Sequence, residues 1–390
     1  QNVAIGYEAL NSSQTGNGYN TAIGCRALYG NTTGSENVAV GFGTATEMTT
    51  GTKNIAIGQG TLRSNTTASN NVALGVDSLC LVTTNGNNTS IGSCALKNTT
   101  GTSNTALGYN AGCGITTGGY NVYLGDGAGS GTTLASHNVA IGNGTLQAGG
   151  DSNGRNIAIG DTAGKCVTTG SKNTFIGSAS GFSTTTGSHN IGLGNCSMHG
   201  ATGGMTGADN VGIGQCSLRC NTEGKCNIAI GVSTLCSNTE GCTNVAMGLN
   251  ALQKNTNADF NVAIGCGAGC SITTGGCNTL IGCNVGQGIT TGGHNVAIGL
   301  LALSSAVTNA EAHNVAIGTC AGKSITSGRR NVYIGEQAGF ASVTGGSNVG
   351  IGNFALSGVP TNSDGFNIAI GGYALCSVTS GRQNVTLGYQ

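Results

Sequence analysis

The chain has 390 residues, including 73 glycines, one proline and no tryptophan, and its 14 basic and 14 acidic side chains leave no formal net charge. Charged residues make up only 7% of a chain rich in Val, Ile and Ala, which argues for order and against a basic stripe that would read nucleic acid. No apolar run approaches the roughly 18 residues of a membrane helix, so no membrane span is expected.

The first predicted element is Asn2-Val3-Ala4-Ile5-Gly6. The same phrase, Asn-(Val/Ile/Thr)-small-aliphatic-Gly, returns at Asn20, Asn37 and Asn54, then at Asn227, Asn244 and Asn261, and finally at Asn384, 23 copies in all. Sixteen of the 22 intervals between these asparagines are 17 residues. A fixed short period carrying β-branched residues and closed by turn residues predicts an all-β chain, a parallel β-solenoid or β-roll of about 23 coils of 17 residues. Phase is kept throughout, so residues 1–390 read as one continuous solenoid domain with no cap at either end and no targeting segment or anchor.

Numbering each coil from its asparagine, position 2 is Val, Ile or Thr and position 4 is a bulky aliphatic. Alternate strand residues share a face, so positions 2 and 4 are expected to look inward and position 3 outward. Glycine at position 5 ends the strand. The asparagine suits a left-handed turn, and its amide can bond its counterparts above and below; Asn2, Asn20, Asn37, Asn54, Asn227, Asn244 and Asn261 are therefore candidates for an internal ladder. A turn residue chosen for backbone shape alone is the other reading.

Position 3 is itself apolar, mostly Ala, with Tyr123, Phe175, Leu280 and Tyr333 as bulky exceptions. A strand facing water would alternate with polar residues. An outward strip through Ala229, Ala246 and Ala263 would need a cover, either a trimer or a filament neighbour. Alternatively position 3 lines a narrow core and positions 2 and 4 meet the neighbour; both orientations require a partner.

Further along each coil, position 9 is leucine in 12 coils and glycine in eight. In five of the glycine coils position 12 is aliphatic (Ile115, Val167, Ile272, Ile289, Ile325), whereas leucine coils often carry Asn there, as at Asn221, Asn238 and Asn255. One core site is thus filled from either of two points. Leu79 with Val82 and Leu375 with Val378 depart from this. Thr-Thr-Gly at positions 13 to 15 turns the chain back, and extra residues fall in loops around His199 to Gly204, Ser304 to Asn309 and Val359 to Ser363.

Asn20-Thr21-Ala22-Ile23-Gly24-Cys25-Arg26-Ala27-Leu28, followed by Asn31-Thr32-Thr33-Gly34, resembles the repeats of bacterial and phage-like surface proteins described as carrying a tail-fibre domain. The phrase is also similar to the head repeats of trimeric autotransporter adhesins. The resemblance implies left-handed coils, trimeric assembly and an extracellular or cell-surface place. The adhesin repeat is shorter and carries an extra serine after its asparagine.

The 17 cysteines occupy few phases, and neighbouring coils bring Cα atoms to about 4.8 Å. Cys196 with Cys216, Cys220 with Cys236, Cys226 with Cys242 and Cys266 with Cys283 are the candidate disulfides. Small packing residues, or zinc held through Cys216-x3-Cys220 and Cys266-x3-Cys270, are the other readings. Disulfides would place the chain outside the reducing cytoplasm.

Four of the five histidines (His137, His189, His294, His313) directly precede a phrase asparagine, a phase that also holds Tyr19, Lys53 and Asp209. They read as decoration of a variable turn rather than catalytic groups. The regular aspartate of calcium-binding solenoids is missing. The expectation is a structural or adhesive extracellular fibre or filament subunit that assembles with itself, with a surface glycan or host receptor as a further partner, without catalysis and without cofactor or metal. The alternative is a ligand-binding solenoid that takes ice or glycan on Thr or Asn ladders.

Overall fold

The computed structural model describes residues 1–390 apart from 13–14, 16–17, 149–153, 202, 306–311, 359–364, 378–380 and 390. Most of the expected loop insertions, at Thr202, 306–309 and 359–363, and the Val378 partner of Leu375 therefore lie outside the described residues. The described chain is all-β, with no helix, and its strands lie in the five-residue phrases, each three residues long at positions 2 to 4 of a coil. Two units are distinguished. The first, Gln1–Asn190, holds β1 (Val3–Ile5) to β11 (Thr174–Ile176); the second, Ile191–Gln390, holds β12 (Ile191–Leu193) to β23 (Val385–Leu387).

Within each unit the coils stack as a parallel β-solenoid in strict register. Val38 pairs with Ile55 and Ile55 with Val72 in the first unit; Ile228 pairs with Val245 and Val245 with Val262 in the second. Glycine at position 5 is required by both conformation and space. Gly58 has φ +130°, and a Cβ on it would lie 2.6 Å from the Gly75 carbonyl oxygen of the next coil.

The facing of the strand is the reverse of the leading expectation. Position 3 points into the core, where Ala56, Ala73, Tyr123 and Phe175 are at most 1% exposed, while Ile55 and Ile57 on either side of Ala56 are each 40% exposed. The cause is parity. The position 1 amide is buried in the ladder, and alternate residues share a face, so positions 1 and 3 go in together and positions 2 and 4 go out. Ala229, Ala246 and Ala263 are 0% exposed and form part of the core, not an outward interface.

The left-handed conformation was also misplaced. It belongs to positions 7, 9 and 17, as at Asp77 (φ 52°), Leu79 (φ 50°) and Lys53 (φ 58°), and the phrase asparagines do not adopt it. At position 17 the backbone is held by the ladder: Lys53 N–H donates to the Ser35 carbonyl at 3.1 Å, and Thr243 N–H to the Lys225 carbonyl at 2.9 Å.

Inside, the position 9 glycines answer the bulky position 3 residues. Tyr123 occupies the space a Cβ would need on Gly129 of its own coil (2.5 Å) and on Gly112 of the coil before (2.7 Å). Phe175 does the same against Gly181 (2.4 Å) and less closely against Gly164 (3.3 Å), Leu280 against Gly286 (3.0 Å) and Gly269 (2.7 Å), and Tyr333 against Gly339 (2.5 Å), while at Gly322 Tyr333 comes only to van der Waals contact at 3.4 Å. These four pairs account for all eight glycine coils. Backbone shape is not the reason, since leucine adopts the same left-handed φ at this position in Leu62, Leu79 and Leu96. The expected exchange of position 9 for position 12 is seen at Ile272, Ile289 and Ile325, whose Cδ1 atoms reach within 3.1 Å of the Cβ sites of Gly269, Gly286 and Gly322.

Candidate interaction surface

The asparagine ladder is buried from Asn20 to Asn367. Asn37 donates its backbone N–H (3.0 Å) and its Nδ2 (3.1 Å) to Asn20 Oδ1, and Asn54 repeats this to Asn37 at 2.9 and 3.0 Å. Asn54 Nδ2 also donates to the Ala68 carbonyl of its own coil at 2.9 Å. Asn20 N–H reaches Asn2 Oδ1 at 3.0 Å. In the second unit Asn244 donates to Asn227 (3.0 and 3.1 Å) and Asn261 to Asn244 (3.0 and 3.3 Å). One oxygen thus takes two donors from the next coil, and the amide nitrogen ties the start of a coil to its return turn. A side chain so placed is buried and spends its oxygen and nitrogen within the stack.

A second ladder was not foreseen. At position 12, Asn238 Nδ2 donates to Asn221 Oδ1 at 2.9 Å and Asn255 Nδ2 to Asn238 Oδ1 at 2.8 Å. It stops where Ile272 follows, and Asn255 Oδ1 is left buried without a partner. The three asparagines at equal phase were the available signal.

The outer surface of each strand carries the apolar side chains that the core does not use. Position 4 presents Met247, Ile264 and Ile281, 39%, 37% and 37% exposed, flanked at position 2 by the half-buried Val245, Val262 and Thr279. In the same coils position 6 adds Leu249, Cys266 and Cys283, and the next coil adds Leu300, all exposed. No charged side chain occupies position 2 or 4 of any coil.

The return turn is different. Thr33, Thr50, Thr67 and Thr84 at position 14 are exposed on successive coils, with Ser35, Thr52 and Ser69 two residues on and half-exposed beyond the buried Gly34, Gly51 and Ala68. The preceding threonines turn their hydroxyls to the backbone, as Thr32 to the Thr49 carbonyl at 3.1 Å and Thr49 to the Thr66 carbonyl at 3.0 Å. On the position 17 edge His294 stacks on His313 at 4.7 Å and Tyr120 on His137 at 5.2 Å.

All 17 cysteines are free thiols, which corrects the four expected disulfides. Cys236 lies level with Arg219 rather than Cys220, and Cys242 level with Lys225, whose N–H meets Cys242 Sγ at 3.3 Å. Cys226 and Cys220 are thus one residue out of step with their expected partners. Cys196 with Cys216 and Cys266 with Cys283 are in step, yet parallel side chains on stacked strands keep their Cβ atoms about 4.8 Å apart, beyond the 3.5–4.5 Å or so that a disulfide spans. Among the described residues no three His, Cys, Asp or Glu side chains converge on a metal position, so neither Cys-x3-Cys pair gathers a zinc set. Burial raises the Cys80, Cys113 and Cys236 thiols above their ordinary range. No family model and no curated protein sequence matches the chain.

Proposed function

We propose that this β-solenoid is a structural subunit of an extracellular fibre or filament, and that it assembles laterally with copies of itself through the apolar face made by positions 2 and 4. The observation that carries the reading is that the core is filled by positions 3, 9 and 12, while two uncharged aliphatic ladders remain on the outside. Purely parallel sheets are almost always covered on both faces. A second copy is the occupant that fits best, because its face repeats at the same strand spacing and is equally uncharged. At about 4.8 Å per coil the strip of one unit offers on the order of 500 Å², and two such faces together reach about 1,000 Å², the lower bound for a specific interface. The extracellular place rests on the resemblance of the repeat to surface-fibre proteins, and no longer on cysteine pairing.

Sedimentation of the parent chain and of Met247→Lys/Ile264→Lys/Ile281→Lys tests this. These side chains face water in the single chain, so the variant should keep its β-sheet circular dichroism and lose self-association. A variant that associates like the parent would overturn the proposal, as would a parent that stays monomeric at high concentration or takes up lipid vesicles instead.

A second reading has one observation in its favour, the exposed Thr-x-Ser/Thr rows at Thr33, Thr50 and Thr67, which are ordered hydroxyl arrays that ice or a glycan could meet. Thermal hysteresis, or retention on immobilised glycans, lost in Thr33→Val/Thr50→Val/Thr67→Val, would establish it.

A further inference from the structure

Cys266 and Cys283 occupy the same phase of adjacent coils, and the register between them is fixed on both sides. Gly282 N–H donates to the Ile264 carbonyl and Asn284 N–H to the Cys266 carbonyl, each at 2.8 Å. Their local backbones also match: the preceding glycines have φ +134° and +142°, and the following residues, Gly267 and Asn284, have φ +67° and +50°. The two Cα–Cβ bonds therefore run parallel, and both thiols are exposed.

Such a pair is too widely spaced for a disulfide and too poor in ligands for zinc, but it matches a third chemistry. A four-coordinate zinc–thiolate bond is about 2.3 Å and a two-coordinate copper(I)–thiolate bond is shorter, so a linear S–M–S unit spans at most about 4.6 Å, within reach of thiols one strand spacing, about 4.8 Å, apart. Soft thiolates suit copper(I), zinc and iron–sulfur clusters, and of these copper(I) is the one satisfied by two ligands in a line. The neighbours at the same phase, Leu249 and Leu300, are apolar and offer no hard oxygen or nitrogen donor. We propose that Cys266 and Cys283 form a two-coordinate copper(I) site. On binding, both thiols release their protons to solvent, and the two thiolates and the ion together carry one negative charge; no electron is transferred.

The test uses the full-length chain, kept reduced and anaerobic, titrated with copper(I) against a coloured copper(I) chelator. Cys196 and Cys216 share the same register and are half-buried, so the readout is a difference between variants. Cys266→Ser and Cys283→Ser should each lower the tightly held copper by one equivalent. The double variant should lower it by no more than either alone, and Cys277→Ser, exposed at another phase, should leave it unchanged. X-ray absorption of the parent minus the double variant should show two sulfur neighbours. Unchanged stoichiometry in the double variant, a loss in Cys277→Ser equal to that in Cys266→Ser, or a difference spectrum with three sulfurs or with nitrogen and oxygen neighbours would overturn the site.

Discussion

The Tyr123 hydroxyl lies 3.0 Å from Thr132 Oγ1, nine residues ahead in the same coil, and both are buried. Tyr333 repeats the arrangement, donating to Ser342 Oγ at 2.9 Å. The third aromatic coil breaks it: Phe175 has no hydroxyl, and Thr184 Oγ1 at the equivalent place is buried without a partner.

Phe175→Tyr should therefore stabilise the chain by about 1 kcal/mol by meeting the orphaned Thr184 hydroxyl, whereas Tyr333→Phe should cost about 1–3 kcal/mol by orphaning Ser342. Urea unfolding at unchanged m-value checks both. A destabilised Phe175→Tyr would mean that the phenylalanine coil lacks room for the hydroxyl.

The buried tyrosines also set an alkaline limit. Burial pushes Tyr123 and Tyr333 from the ordinary 10.0 up to about 12. A folded-state value raised above the unfolded one means that stability from these groups is complete below pH 10 and is lost as the pH rises toward 12. Unfolding midpoints should fall across that window, and the fall should be smaller in the double variant Tyr123→Phe/Tyr333→Phe once its lower stability at neutral pH is subtracted.

Gly269 and Leu280 should be coupled. A Cβ on Gly269 would lie 2.7 Å from Leu280 Cδ1, so Gly269→Ala is an overpacking change in the parent and a filling change beside Leu280→Ala. A double-mutant cycle should give an interaction of about 1–3 kcal/mol favouring the pair. Additive effects would show that the glycine serves the backbone and not the neighbour.

Removing residues 227–243 takes out one whole coil in phase, leaves Asn210 stacked on Asn244, and should preserve folding with little change in thermal midpoint. Removing about half of that coil should not, because the strands lose register. Residues 104–120 are also one coil in phase, but their loss takes away Gly112 and sets Tyr123 against Leu96, so this deletion should unfold the chain or force a local rearrangement. Differential scanning calorimetry distinguishes the outcomes.

The period, the parallel stack and the asparagine ladder were legible in the sequence because each is written in every coil. The inward face was not. Val and Ile at positions 2 and 4 outweigh Ala at position 3 in any hydrophobic pattern, and only the buried amide of Asn54 or Asn244 fixes which parity faces in. Bulky Tyr123, Phe175, Leu280 and Tyr333 and the eight glycines at position 9 were each visible, yet their matching runs between coils and emerges only when the stack is built. The cysteine phases are legible to within one residue, which puts Cys220 and Cys226 out of step with Cys236 and Cys242, and for the pairs in step phase gives the Cα spacing and leaves the direction of Cβ undetermined.

The glycine pairing also limits how such a gene can change its length. The Leu235 coil, with the Leu218 coil on one side and the Leu252 coil on the other, has the same neighbour above and below, so unequal exchange between coding repeats of this type can add or drop single coils without a trace in the core. A coil built on Tyr123 has no such freedom. It is viable only behind a coil like that of Gly112, and the two must be inherited as a couplet. Aromatic couplets would then act as fixed markers along an array whose plain stretches expand and contract, and related chains should differ in the number of leucine coils while keeping each large position 3 residue one coil after a glycine.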